Sequence, residues 1–260
     1  MIRSGVSAIF AMGTAAESPM LSMKQRRAAL EVLAQTCEGR VPLLVGIMEP
    51  STYRVLELIP EAEAMKAAAI VITAPYYFKV QQKEILKHFQ TVREATSLPI
   101  VIYNLPAHLG SGNIMDAATV SEIAKLPGVI GYKDSSGNFA QFQQVLLNTK
   151  HLEYFSVLQG TQVLSVASLV LGAHGLIPGI GNVIPERMVQ LYELVKEGRI
   201  EEANEIQRQV IALERGLGFS GYSLASMKAM VKLQGIGSGL PHYPIPEATD
   251  EELARIQSLF

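Results

Sequence analysis

A chain of 260 residues, 48% hydrophobic and 18% charged, carries enough apolar material for one large α/β core and is not a disordered chain. A formal charge of −2 leaves no basic excess for binding nucleic acid. The single cysteine, Cys37, excludes a disulfide framework and a Cys-x-x-Cys metal site, and no apolar run approaches the length of a membrane span.

Seven short apolar runs follow one another: Val6–Gly13, Pro42–Met48, Ala67–Pro75, Pro99–Pro106, Gly128–Asp134, Phe155–Gly160 and His174–Asn182. Most are continuous rather than alternating, which predicts strands buried on both faces of a parallel sheet. Amphipathic segments separate them. "SMKQRRAALEVLAQT" has helical spacing and ends near Gly39, and "DAATVSEIAKLPG" opens on an Asp cap and stops at Pro-Gly. β-then-α units in series predict a (β/α) barrel. A doubly wound nucleotide fold is disfavoured, because no G-x-G-x-x-G turn occurs. After the last run the chain reads as helical to its end, with Thr249 and Glu252 forming a capping box. The expected division is residues 1–185 for the barrel and 186–260 for a barrel-closing helix and a helical C-terminal extension. The opening stretch, "MIRSGVSAIF", does not read as a secretory leader, and with the one cysteine it predicts a cytoplasmic protein.

In a parallel barrel the chemistry sits at the C-terminal ends of strands. Those ends offer Thr14, Glu49, Tyr77, Tyr103, Lys133 and Gly160. Lys133 is the only lysine in a strand-like run. Desolvation lowers an amine's pKa and makes it a nucleophile able to condense with a ketone. Tyr103 could then move protons to and from the covalent intermediate, with Thr14 and Tyr77 carrying them onward to solvent. The plainer readings are an ion pair of Lys133 with Asp134, and tyrosines that pack with wet tips. The ion pair is disfavoured because adjacent strand residues point to opposite faces.

"GTAAES", "TAPYY", "YNLP", "GYKDSSGN" and "GAHGLIPGIGNVIP" occur in an order and spacing that resembles the dihydrodipicolinate synthase / N-acetylneuraminate lyase family over nearly the whole chain. The resemblance implies a TIM (β/α)8 barrel and a class I Schiff-base mechanism on pyruvate or on 2-keto acids that cleave to pyruvate. It implies no metal or organic cofactor. It assigns Lys133 as the Schiff-base lysine, Tyr103 as the acid/base and Thr14 as its hydroxyl neighbour. Tyr77 would be lent across a tight dimer, which implies a homotetramer built as a dimer of dimers. Gly160 and Ile177 would line the pyruvyl pocket, and Ser135 and His108 would bear on the second substrate.

Three departures from the family pattern stand out. The carboxylate-binding loop has Ala15 where a second hydroxyl is usual, and only backbone N–H groups remain there. His108 stands where the synthases of lysine biosynthesis carry an arginine; it is either a ligand for sugar-acid hydroxyls or a surface polar residue. Finally, Val6–Gly13 leads straight into the loop that follows the family's second strand. The expectation is that a first βα unit, roughly thirty to forty residues, is missing from this chain. The leading functional expectation is a lyase or aldolase acting on a 2-keto-3-deoxy acid. The alternatives are 4-hydroxy-tetrahydrodipicolinate synthase and a catalytically silent relative that binds a 2-keto acid.

Overall fold

The computed structural model describes residues 1–106 and 113–260. Seven strands form one sheet: β1 (Ile9–Ala11), β2 (Leu43–Gly46), β3 (Ala69–Thr73), β4 (Ile100–Asn104), β5 (Val129–Asp134), β6 (Ser156–Gln159) and β7 (Gly175–Leu176). They pair in chain order, every neighbour parallel. Six crossover helices alternate with them: α1 (Met23–Cys37), α2 (Thr52–Ala64), α3 (Gln82–Ala95), α4 (Ala117–Ala124), α5 (Phe139–Thr149) and α6 (Ser165–Val170). Four more complete the chain: α7 (Pro185–Lys196), α8 (Ile200–Leu217), α9 (Ser223–Leu233) and α10 (Asp250–Gln257). Seven strands is the number the apolar runs predict. Among the described residues no strand joins β1 to β7, so these two are the sheet edges.

Two predicted strands are shorter than their apolar runs. Met12 takes a positive φ of 55°, which ends β1 at Ala11 rather than Gly13. Pro178 has no N–H to give the ladder, and Gly179–Asn182 wraps into a 3₁₀ turn, so β7 keeps only two residues. The predicted caps form as read: the Asp116 side chain accepts from Thr119 N, and Thr249 with Glu252 makes a capping box.

Side chains alternate between two cores. Ile70, Ile72, Ile100, Ile102, Val129 and Tyr132 face the helices. Ala69, Val71, Val101 and Tyr103 form a smaller inner cluster with Phe10 and Leu44 packed against it. A buried ion pair fastens α1 to α2: Arg26 Nε donates to Glu61 at 2.7 Å, and Arg26 Nη2 donates to the Gly46 carbonyl at 2.9 Å.

His88 on α3 is 3% exposed and bonds Thr52 Oγ1 through Nδ1 at 2.9 Å. Burial pushes its pKa from 6.5 down to about 4. Between these values the unfolded chain binds a proton that the folded chain refuses. Stability is therefore full above pH 6.5 and falls as pH drops toward 4, by up to about 3 kcal/mol at 1.36 kcal/mol per unit. Denaturant titrations at pH 7 and pH 5 check this. The native protein is expected to lose about 2 kcal/mol more over that interval than His88→Gln, and an equal loss in both would refute it.

Candidate active site

The site is built on the β4–β5 pair. The register there shifts once, between Ile100 and Val101, so that Ile100 pairs with Val129 but Val101 pairs with Gly131. This one-residue irregularity sets Tyr103 opposite Lys133 and Asn104 opposite Asp134. Without it Tyr103 would face Tyr132. Paired residues of parallel strands share a face, so Tyr103 and Lys133 both point inward. Asn104 and Asp134 point the other way, and Asn104 Nδ2 donates to Asp134 Oδ1 at 2.9 Å. The Tyr132 hydroxyl and Ser136 Oγ donate to the same carboxylate, each at 2.9 Å.

Lys133 is 6% exposed. Its Nζ lies 4.2 Å from the centre of the Tyr103 ring and 4.9 Å from that of Phe10. Among the described residues it forms an ion pair with no carboxylate, Asp134 included. Burial holds the ammonium below its ordinary pKa, and the neighbouring Tyr103 acts in the opposite sense. The result is an amine biased toward its nucleophilic form.

Thr14 opens a 3₁₀ turn, Thr14–Ala16, directly after β1. Its Oγ1 is 3.4 Å from the Tyr103 hydroxyl, longer than a mature O–H···O bond. Ala15 is half-buried beside it and packs against the core.

Gly160 follows β6 and packs on the lysine stem. A Cβ there would sit 2.9 Å from Lys133 Cε and 2.1 Å from Ser135 Oγ, so only glycine fits. Backbone bonds lace the strands past their ends: Ser135 N to Asn104 O at 2.9 Å, Gly160 N to Asp134 O at 2.7 Å, and Ile177 N to Gln159 O at 2.8 Å. Lys133, Tyr103, Thr14, Ser135 and Gly160 thus meet at one end of the sheet.

Tyr77 stands apart. It is 79% exposed, at a φ of +78° that is rare for an aromatic residue, and packs edge-on to the equally exposed Phe78 at 5.0 Å. It makes no hydrogen bond to Thr14 or Tyr103. His108 lies outside the described residues.

Two groups near the site were given no role by sequence reasoning, although Glu17 stands in the "GTAAES" motif. Phe10 reaches both Tyr103 and Lys133, and its only signal was the inward phase of β1. Glu17, 2% exposed at a φ of +54°, closes the Thr14 turn. Its carboxylate pairs with Lys228 on α9 and accepts from His242 N at 3.0 Å, while Lys228 also donates to Leu240 O at 2.9 Å. Among the described residues no group of three or more His, Cys, Asp or Glu side chains is placed to hold a metal, and no helix is long and apolar enough to cross a membrane.

The dihydrodipicolinate synthetase family model matches residues 1–260. The 4-hydroxy-tetrahydrodipicolinate synthase of Methanopyrus kandleri is 32% identical over 252 residues, which is 96% of this chain and 82% of that protein. The crystal structure of dihydrodipicolinate synthase from Bacteroides thetaiotaomicron superposes with a TM-score of 0.93 at 33% identity, covering 99% of this chain and 87% of that one. YagE, a prophage protein of the dihydrodipicolinic acid synthase family from Escherichia coli K12 solved in complex with pyruvate, gives 0.93 at 25% identity over 99% and 87% of the two chains. The fold is the TIM-barrel fold of these proteins. The chain belongs to the dihydrodipicolinate synthetase family and is a class I, pyruvate-dependent aldolase of that family.

Proposed function

We propose that Lys133 forms the Schiff base with pyruvate, that Tyr103 moves the protons and that Thr14 supports its hydroxyl. The observation that carries this is the Tyr103–Lys133 pair across β4 and β5, buried and free of any carboxylate partner among the described residues. Ala15, Gly160 and Ile177 are the proposed lining of the pyruvyl site, with Ser135 and His108 proposed to bear on the second substrate. The exposed ring of Tyr77, held in a costly backbone conformation, supports its being lent to a neighbouring subunit's relay within a dimer of dimers. The single, buried Cys37 supports a cytoplasmic setting.

Two readings remain for the second substrate. The name of the Methanopyrus kandleri relative supports condensation of pyruvate with aspartate semialdehyde, as in 4-hydroxy-tetrahydrodipicolinate synthase. His108 in the position of the family's arginine supports cleavage of a 2-keto-3-deoxy sugar acid, because an imidazole cannot supply a bidentate fork to a carboxylate. Parallel assays separate them: pyruvate consumption with the semialdehyde against pyruvate release from a panel of 2-keto-3-deoxy acids. The faster reaction names the substrate class, and neither reaction above background would reject both readings. Sedimentation of the same preparation is expected to give a tetramer; a monomer at assay concentration would remove Tyr77 from the relay.

A further inference from the structure

We infer that Phe10 belongs to the reaction centre: with Tyr103 it forms an aromatic cradle for the positive charge that the covalent intermediate carries on Lys133 Nζ. The inference rests on the Schiff-base reading above. Phe10 projects from β1, and its ring meets that of Tyr103 edge-on, with centroids 5.9 Å apart and planes at 83°. Lys133 Nζ lies within cation–π range of both rings.

The Phe10 ring is held on two sides by missing side chains. A Cβ at Gly13 would sit 3.0 Å from Phe10 Cε1, and one at Gly46 would sit 3.1 Å from Cε2 and 2.4 Å from the Met12 carbonyl oxygen. Gly13, in the turn after β1, and Gly46, at the end of β2, therefore leave room for one ring beside the amine. Since no carboxylate among the described residues pairs with Lys133, these π-faces are the electron-rich surfaces that the structure sets against Nζ.

The chemistry makes this placement matter. The neutral amine attacks the ketone carbon, a C–N bond forms as the C=O π bond opens, and one proton passes from the nitrogen to the oxygen to give a carbinolamine. That hydroxyl takes a further proton and leaves as water, and the nitrogen lone pair closes the C=N bond. Overall, amine, ketone and one proton give iminium and water, so a neutral nitrogen becomes cationic without moving away from the rings. A cradle that favours the cation pulls this step forward. It also favours the ammonium form of the free lysine, against the effect of burial. Its loss therefore has two signs: a lower amine pKa and a weaker iminium.

The test compares the native protein with Phe10→Leu and with a protein carrying pentafluorophenylalanine at position 10, which keeps the ring's shape and removes its negative face. Each is incubated with pyruvate and cyanoborohydride, and the reduced pyruvyl mass is followed against pyruvate concentration and pH. Both variants are expected to need about two- to thirtyfold more pyruvate for half-maximal trapping on the alkaline plateau. Both should also shift the pH midpoint of trapping downward. Leucine is smaller than the phenyl ring and the fluorinated ring slightly larger, so a packing role alone would not shift both pH midpoints downward together. Native behaviour of the fluorinated protein, or an upward shift of its midpoint, overturns the role of Phe10 and leaves the Schiff-base reading intact. Absence of any adduct in the native protein overturns both.

Discussion

Lys133→Ala is expected to gain no mass when incubated with pyruvate and borohydride, whereas the native protein gains one reduced pyruvyl group. The side chain is 6% exposed and contacts two aromatic rings, so truncation leaves a small void and a loss of packing. Lys133→Met fills that volume without an amine and should behave the same way, which separates chemistry from folding. Turnover should fall further than the roughly 10²–10⁴-fold expected for a lost proton relay, because the covalent route itself is gone. An adduct that persists in either variant, or a labelled peptide that lacks residue 133 in the native protein, would refute the assignment.

Tyr103→Phe removes a hydroxyl that lies 3.4 Å from Thr14 Oγ1 and also interacts with the Lys133 amine. The ring keeps its edge-on contact with Phe10 and its place beside Lys133. Folding and slow adduct formation should both survive. Turnover is expected to drop about 10²–10⁴-fold, the usual worth of a positioned general acid–base. Steady-state kinetics alongside adduct mass make the check. Turnover near the native level would move the proton transfer to another group.

How much of this was legible beforehand depended on whether the signal was local. Lys133 stood out because a lone ammonium in a β-run has no cheap structural explanation. Its separation from Asp134 followed from the two-residue period of a strand, and Asp134 does turn away to Asn104, Tyr132 and Ser136. Tyr103 was placed near Lys133 by its adjacent strand end, and the family resemblance then assigned its role, but the register that sets the two opposite each other was not legible. It depends on an irregularity at Ile100–Val101 that no propensity announces. Phe10 lay unremarked inside the run Val6–Gly13, because its meaning lies in Gly13 of the turn after β1 and Gly46 of β2. Glu17 was seen in "GTAAES", but its partners are 211 and 225 positions away, beyond any helical or strand spacing. The strand ends were overestimated where one backbone dihedral at Met12 and one proline at 178 stopped the ladder.

That long-range anchor has a consequence for how the enzyme is made. Glu17, in the Thr14 turn, is synthesised 211 residues before Lys228 and 225 before His242. Until those late residues emerge, Glu17 has neither its counter-ion nor its backbone donor. Burying the carboxylate without them is costly. The turn that brings Thr14 to Tyr103 is therefore finished only when α9 docks. A nascent chain with all seven strands made would still lack the anchor of the Thr14 turn until Lys228 and His242 join it.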